Sequence, residues 1–147
     1  MFGFKKHEFF SNQEEQEIIL AIRHAERQTS GEIRVHVQRF LDKDVLADAI
    51  KTFHRLKMDR TKDRNAVIFF LIPEEKQFAV YGDEGIHQKV ADVFWNDVKD
   101  ILATAFRDGH YVEGLSEGIK LTGEKLQAFF PYQSNDKNEL LDEISYD

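Results

Sequence analysis

Three short loops carry the residues best suited to chemistry. The first places Glu32 at the start of an alternating run, the second is Asp63-Arg64-Asn65, and the third is Gly82-Asp83-Glu84-Gly85. Carboxylates gathered in one place repel unless a cation or a proton relieves them. Oxygen ligands suit hard ions such as Ca²⁺ or Mg²⁺. On this reading Glu32, Asp63, Asn65, Asp83 and Glu84 are the metal-ligand candidates. Arg64 can offset one charge or hold a phosphate bidentately, and His87, just beyond the third loop, can donate a proton or ligate a metal. These two are the catalytic candidates, with water as the attacking group, because no Ser, Thr or Cys stands out as a nucleophile. A cation, a guanidinium and helix amides in one place would form a phosphate-ester site. The plainer alternative stays open: Asp63 begins a turn, Asn65 leads into a strand, and Asp83 or Glu84 caps the following helix.

Whether the three loops meet depends on the elements between them. Ser11 with Glu14 has capping-box spacing and opens a helix with Ile18, Ile19, Ile22 and Ala25 on one face. Gly31 is the expected end signal. Ile33, Val35 and Val37 alternate with Arg34, His36 and Gln38, the pattern of a half-buried strand with His36 facing solvent. Asp44 can cap a second helix whose stripe holds Val45, Leu46, Ala49, Ile50, Phe53 and Leu56. Ala66 to Ile72 is apolar without alternation, as in a strand covered on both faces. Pro73-Glu74-Glu75 turns into a returning strand, Gln77 to Tyr81. A long helix is expected over about residues 86–106 and a last one over about 112–130, stopped by Pro131. Phe94 and Trp95 read as core, His54 faces solvent from its helix, and His7, His24 and His110 show no zinc-site spacing.

Helix, strand, helix, strand, strand, helix, helix implies an α/β fold. It should be a three-layer α/β/α sandwich, a small mixed β-sheet flanked by helices on both faces. Strands one and two run parallel and strand three returns, so all three polar loops fall at one edge of the sheet.

Composition bounds the partners. The chain has 147 residues, enough for one domain, with 32% charged residues and a net charge of −7. That charge argues against nucleic-acid binding. The absence of cysteine removes disulfides, thiolate metal sites and cysteine nucleophiles. No leader-like segment and no run near ~20 apolar residues is present, so a cytoplasmic protein without a transmembrane segment is expected. Residues 1–10 form a hydrophobic N-terminal segment with Phe2, Phe4, Phe9 and Phe10, residues 11–131 the domain, and residues 132–147 an acidic, flexible tail. The tail sets Asp136, Glu139, Asp142, Glu143 and Asp147 against Lys137 alone.

The run KDRNAVIFFLIPEEKQFAVYGDEGI followed by FRDGHYVEGLSEGI resembles the TPM domain family. That family is named after a thylakoid-lumen phosphatase, a photosystem repair protein and a nematode receptor modulator. The matching positions are Asp63 to Val67 at the entrance to the central strand, Val80 to Gly85 at the acidic turn, and Phe106 to Gly118 before the closing helix. Ser30 to Val37 matches the first strand, with Glu32 in place. The resemblance implies an α/β sandwich and a divalent-cation site, usually Ca²⁺, on acidic loop residues; acid phosphatase activity is attributed to a plant member. Ile86-His87-Gln88 stands where relatives often carry Leu-Thr-Asp. The expected function is a TPM-type domain that binds Ca²⁺ or Mg²⁺ in an accessory role with a protein partner. The alternatives are a metal-assisted acid phosphatase and a structural interaction domain without metal.

Overall fold

Local signals start and stop most elements where the side chains require it. The computed structural model describes residues 9–133 and 142–147. Ser11 and Glu14 close the capping box, Ser11 N–H donating to Glu14 Oε1 at 2.9 Å and Glu14 N–H to Ser11 Oγ at 3.1 Å. This opens helix α1, Asn12–Glu26. Because the box satisfies two orphan donors at once, Ser11→Ala is expected to lower stability by about 1 kcal/mol in urea unfolding. The helix ends before Thr29, and Gly31 is not its cap. Ser30 N–H and the Thr29 hydroxyl bind the Phe130 carbonyl, tying the start of β1 (Glu32–Val37) to the end of the last helix.

Asp44 caps α2 (Val45–Arg55) by accepting from Ala47 N–H at 2.8 Å. The uniformly apolar β2 (Ala66–Ile72) is buried at every position. It turns through a short 3₁₀ segment into β3 (Gln77–Gly82). The long helix expected after Gly85 is three pieces: α3 (Glu84–His87), a 3₁₀ turn over Asp92–Trp95, and α4 (Asn96–Arg107). The apolar periodicity runs across the break because Val90, Phe94 and Trp95 face the core from the bend and the 3₁₀ turn. Helix α5 is Tyr111–Gln127.

β1 and β2 pair in parallel, with Glu32 opposite Ala66, and β2 pairs antiparallel with β3, with Val67 opposite Gly82. Side chains alternate across the sheet. Val67, Phe69 and Leu71 therefore join the core under α1, α4 and α5, while Ala66, Ile68, Phe70 and Ile72 pack beneath α2 around Phe53. The fold is the expected α/β sandwich, with a fourth strand.

That strand corrects two expectations. Residues 134–141 of the tail lie outside the described residues, but Ser145–Tyr146 form β4, parallel to β1, in the order β3-β2-β1-β4. β1 is accordingly buried along its whole length rather than on one face. His36 is fully buried. It stacks on Phe70, and its Nδ1 and Nε2 lie 2.7 Å from Ser145 Oγ and 3.1 Å from Asp147 Oδ2. Arg55 also binds the Asp147 carboxylate. Of the N-terminal segment, residues 1–8 are outside the described residues; Phe10 is buried in the core and Phe9 meets Tyr111 edge to face. No helix among the described residues is long and apolar enough to cross a membrane.

Candidate functional site

Two of the three loops do meet. Asp83 N–H donates to the Ala66 carbonyl and Gly85 N–H to the Arg64 carbonyl at 2.8 Å, stitching the turn after β3 onto the loop before β2. The approach is so close that a Cβ on Gly85 would lie 2.2 Å from the Asp63 carbonyl oxygen and 2.6 Å from that of Arg64. Arg64 takes the left-handed conformation, φ 51°. In this arrangement its guanidinium meets Asp83, Nε donating to Oδ2 at 2.8 Å and Nη2 to Oδ1 at 3.0 Å. Nη1 lies 3.4 Å from a carboxylate oxygen of the exposed Glu84. Asp83 is 1% exposed and also accepts from Glu84 N–H at 2.7 Å, capping α3. The capping role and the charged-site role thus fall on one carboxylate.

Each remaining candidate has a definite place. Asp63 is exposed at the mouth of the same loop. Asn65 is buried, and its amide donates to Ser30 Oγ at 3.2 Å, so it braces the loop against the start of β1. Glu32 does not join the cluster. β2 stands between it and the end of β3, and two strand spacings separate them by about 10 Å. Its charge acts instead on Glu26. His87 is exposed, with its ring 5.9 Å from that of Tyr81. Tyr81 feels the site from the sheet: burial raises its hydroxyl pKa, and the Asp83 charge adds to the rise. No group of three His, Asp or Glu side chains placed to hold a metal ion occurs among the described residues.

The donor set suits a hard divalent cation in kind: carboxylate oxygens of Asp63, Asp83 and Glu84 around a polar edge. In number it is short, because Asp83 already accepts three hydrogen bonds, two of them from the guanidinium. A cation and Arg64 would compete for the same oxygens.

A second acidic group was not visible in the sequence pattern. Glu26 at the end of α1 accepts from Ile33 N–H at 2.9 Å and hydrogen-bonds Asp142. Arg23 Nε stands 3.8 Å from Asp142. Burial, then the bond to Asp142, push the Glu26 carboxyl up to about 9. No local signal marks the pair, since its members lie at opposite ends of the chain.

The TPM domain profile matches residues 4–125. The solution structure of the BA42 protein from the psychrophilic bacterium Bizionia argentinensis superposes with a TM-score of 0.91 at 41% identity, covering 97% of this chain and 99% of that one. The N-terminal domain of a protein from P. gingivalis has a TM-score of 0.68 at 21% identity, covering 86% and 83%. The N-terminal domain of a Corynebacterium glutamicum protein has a TM-score of 0.62 at 16% identity, covering 96% and 90%. The last two show the shared fold alone. No curated protein matches the chain.

Proposed function

The chain belongs to the TPM domain family, and on that premise we propose that its acidic edge is a competitive cation site in an accessory, partner-binding domain. Asp83 and Glu84, with Asp63 swung in from the neighbouring loop, would hold Ca²⁺ or Mg²⁺, and the bound ion would supply positive charge that Arg64 otherwise provides. The observation that carries this reading is the bidentate Arg64–Asp83 pair at a solvent-facing loop junction, with Glu84 and Asp63 exposed beside it. An acid so deeply buried needs a positive partner. The half-exposed guanidinium is a partner that an ion can replace. Displacement would also free Arg64 to meet an anionic group on a protein partner.

Phosphate-ester hydrolysis at the same edge takes second place. It would require Arg64 to face substrate rather than Asp83, and His87 packs beside Tyr81. A structural interaction domain without metal is the remaining alternative.

Arg64→Ala separates these readings. The variant should be less stable than wild type without ion, because Asp83 loses its partner. Millimolar Ca²⁺ should then raise its melting temperature more than that of wild type, with affinity about tenfold tighter, roughly one charge-assisted hydrogen bond's worth. Amide shifts at residues 63–65 and 82–85 should move on titration and stay still in Asp83→Asn. Calcium-insensitive amides at both loops in wild type and Arg64→Ala would overturn the proposal.

A further inference from the structure

The far end of the sheet holds a cleft that the acidic edge does not explain. β2 begins at the Arg64–Asp83 junction and ends at Leu71–Ile72, about 20 Å away at 3.3 Å per residue. There the end of β2, the start of β3 and the α4–α5 corner enclose about 530 Å³. That is the size of a small-molecule site rather than a packing defect. Its walls are Leu71, Phe78, Phe106 and Tyr111. The rings form a corner, with Phe78 edge-on to Phe106 at 5.4 Å and Phe106 inclined 33° to Tyr111 at 4.9 Å. Gly109, φ 77°, makes the tight α4–α5 turn beside it, with nothing within 4 Å of where a Cβ would sit.

Charge selects the occupant. The lining includes Lys76 and Arg107 and no carboxylate, although the whole chain carries −7. Both cations are exposed, and neither side chain is engaged by a hydrogen bond or ion pair among the described residues. Lys76 is held in the left-handed conformation, φ 54°, at the turn into β3. An aromatic floor under two unpaired cations matches an amphipathic anion, its apolar body on the rings and its head between the ammonium and the guanidinium.

We propose that this cleft binds a small aryl- or alkyl-carboxylate, at a site separate from the acidic edge. The probes are 4-phenylbutyrate and its neutral counterpart 4-phenylbutanol, titrated into the full chain and followed by amide shifts. Phenylbutyrate should saturate shifts confined to residues 71–78 and 103–111. The double variant Lys76→Ala/Arg107→Ala, altered only at exposed positions, should bind it about tenfold or more weakly. Phenylbutanol should bind both proteins equally and more weakly than phenylbutyrate binds wild type. Equal affinity of acid and alcohol for wild type, an unchanged affinity in the double variant, or no saturable shift at millimolar acid would each overturn the proposal.

Discussion

Gly85→Ala should cost about 2–4 kcal/mol and release Arg64 from Asp83. The added methyl would stand 2.2 Å and 2.6 Å from two main-chain carbonyl oxygens. Neither belongs to a flexible side-chain tip that could rotate away, so the loops themselves must separate. Separation breaks the Gly85 N–H bond to the Arg64 carbonyl and moves the backbone that aims the guanidinium. Urea unfolding measures the first effect; the chemical shift and solvent exchange of the Arg64 Nε–H report the second. Gly109→Ala is the control. Its cost should be near 1 kcal/mol, arising from φ 77° alone, because no atom lies close enough to clash. Equal costs at the two glycines, or an Arg64 signal unchanged in Gly85→Ala, would refute the claim that close backbone approach builds the site.

Glu26→Gln should raise stability at alkaline pH and leave it nearly unchanged near pH 4.5. In the folded protein the Glu26 carboxyl is pushed up to about 9, by burial and by its bond to Asp142, with the Glu32 charge adding to the rise. In the unfolded chain it titrates near 4.3. The folded state therefore holds a proton that the unfolded state has already released. Stability from this group is complete below pH ~4.3 and is lost as pH rises toward about 9. His36 works the other way: burial lowers its pKa to about 4 against the pull of Asp147. The unfolded chain takes up that proton first, so stability falls as pH drops from ~6.5 toward 4. The two slopes oppose each other below pH 6.5, and the Glu26 effect stands alone between pH 6.5 and 9. Glutamine keeps an acceptor for Ile33 N–H and donates an amide N–H to Asp142 with no titrating proton. It should gain at least ~1.4 kcal/mol at pH 8.5, the equivalent of one pK unit, or roughly 2–6 °C in melting temperature. Parallel stability-versus-pH curves for the two proteins would show that Glu26 is not protonated in the fold.

These two predictions come from different depths of legibility. Gly85 stands in the sequence as one of two glycines bracketing two acids, and its place at a loop junction followed from strand order. That Arg64 and Asp83 would share an edge was readable for the same reason: parallel β1 and β2 with a returning β3 force their loops together. What the order of elements could not supply is pairing. Asp83 can accept from a guanidinium, a cation or a backbone N–H, and only the left-handed backbone of Arg64 brings the first of these onto it. Glu32 shows the converse, since edge sharing does not measure the strand that stands between two loops.

Glu26 and His36 were legible only as ordinary residues. A histidine at an alternating strand position reads as solvent-facing, and a glutamate in a last helical turn carries no signal of its own. His36 is buried and Glu26 half-buried where the C-terminal residues return, Asp142 to Glu26, and Ser145 and Asp147 to His36. Those contacts span more than 100 residues, and local periodicity is blind to them. By itself the sequence determined what is local and repetitive: the capping box, the doubly buried β2, the hairpin, the sandwich, and the acidic turn that joins this chain to its family. The tertiary structure decided which buried charges have partners, because pairing depends on distances of a few ångströms between segments far apart in the chain, and burial makes an error in those distances costly.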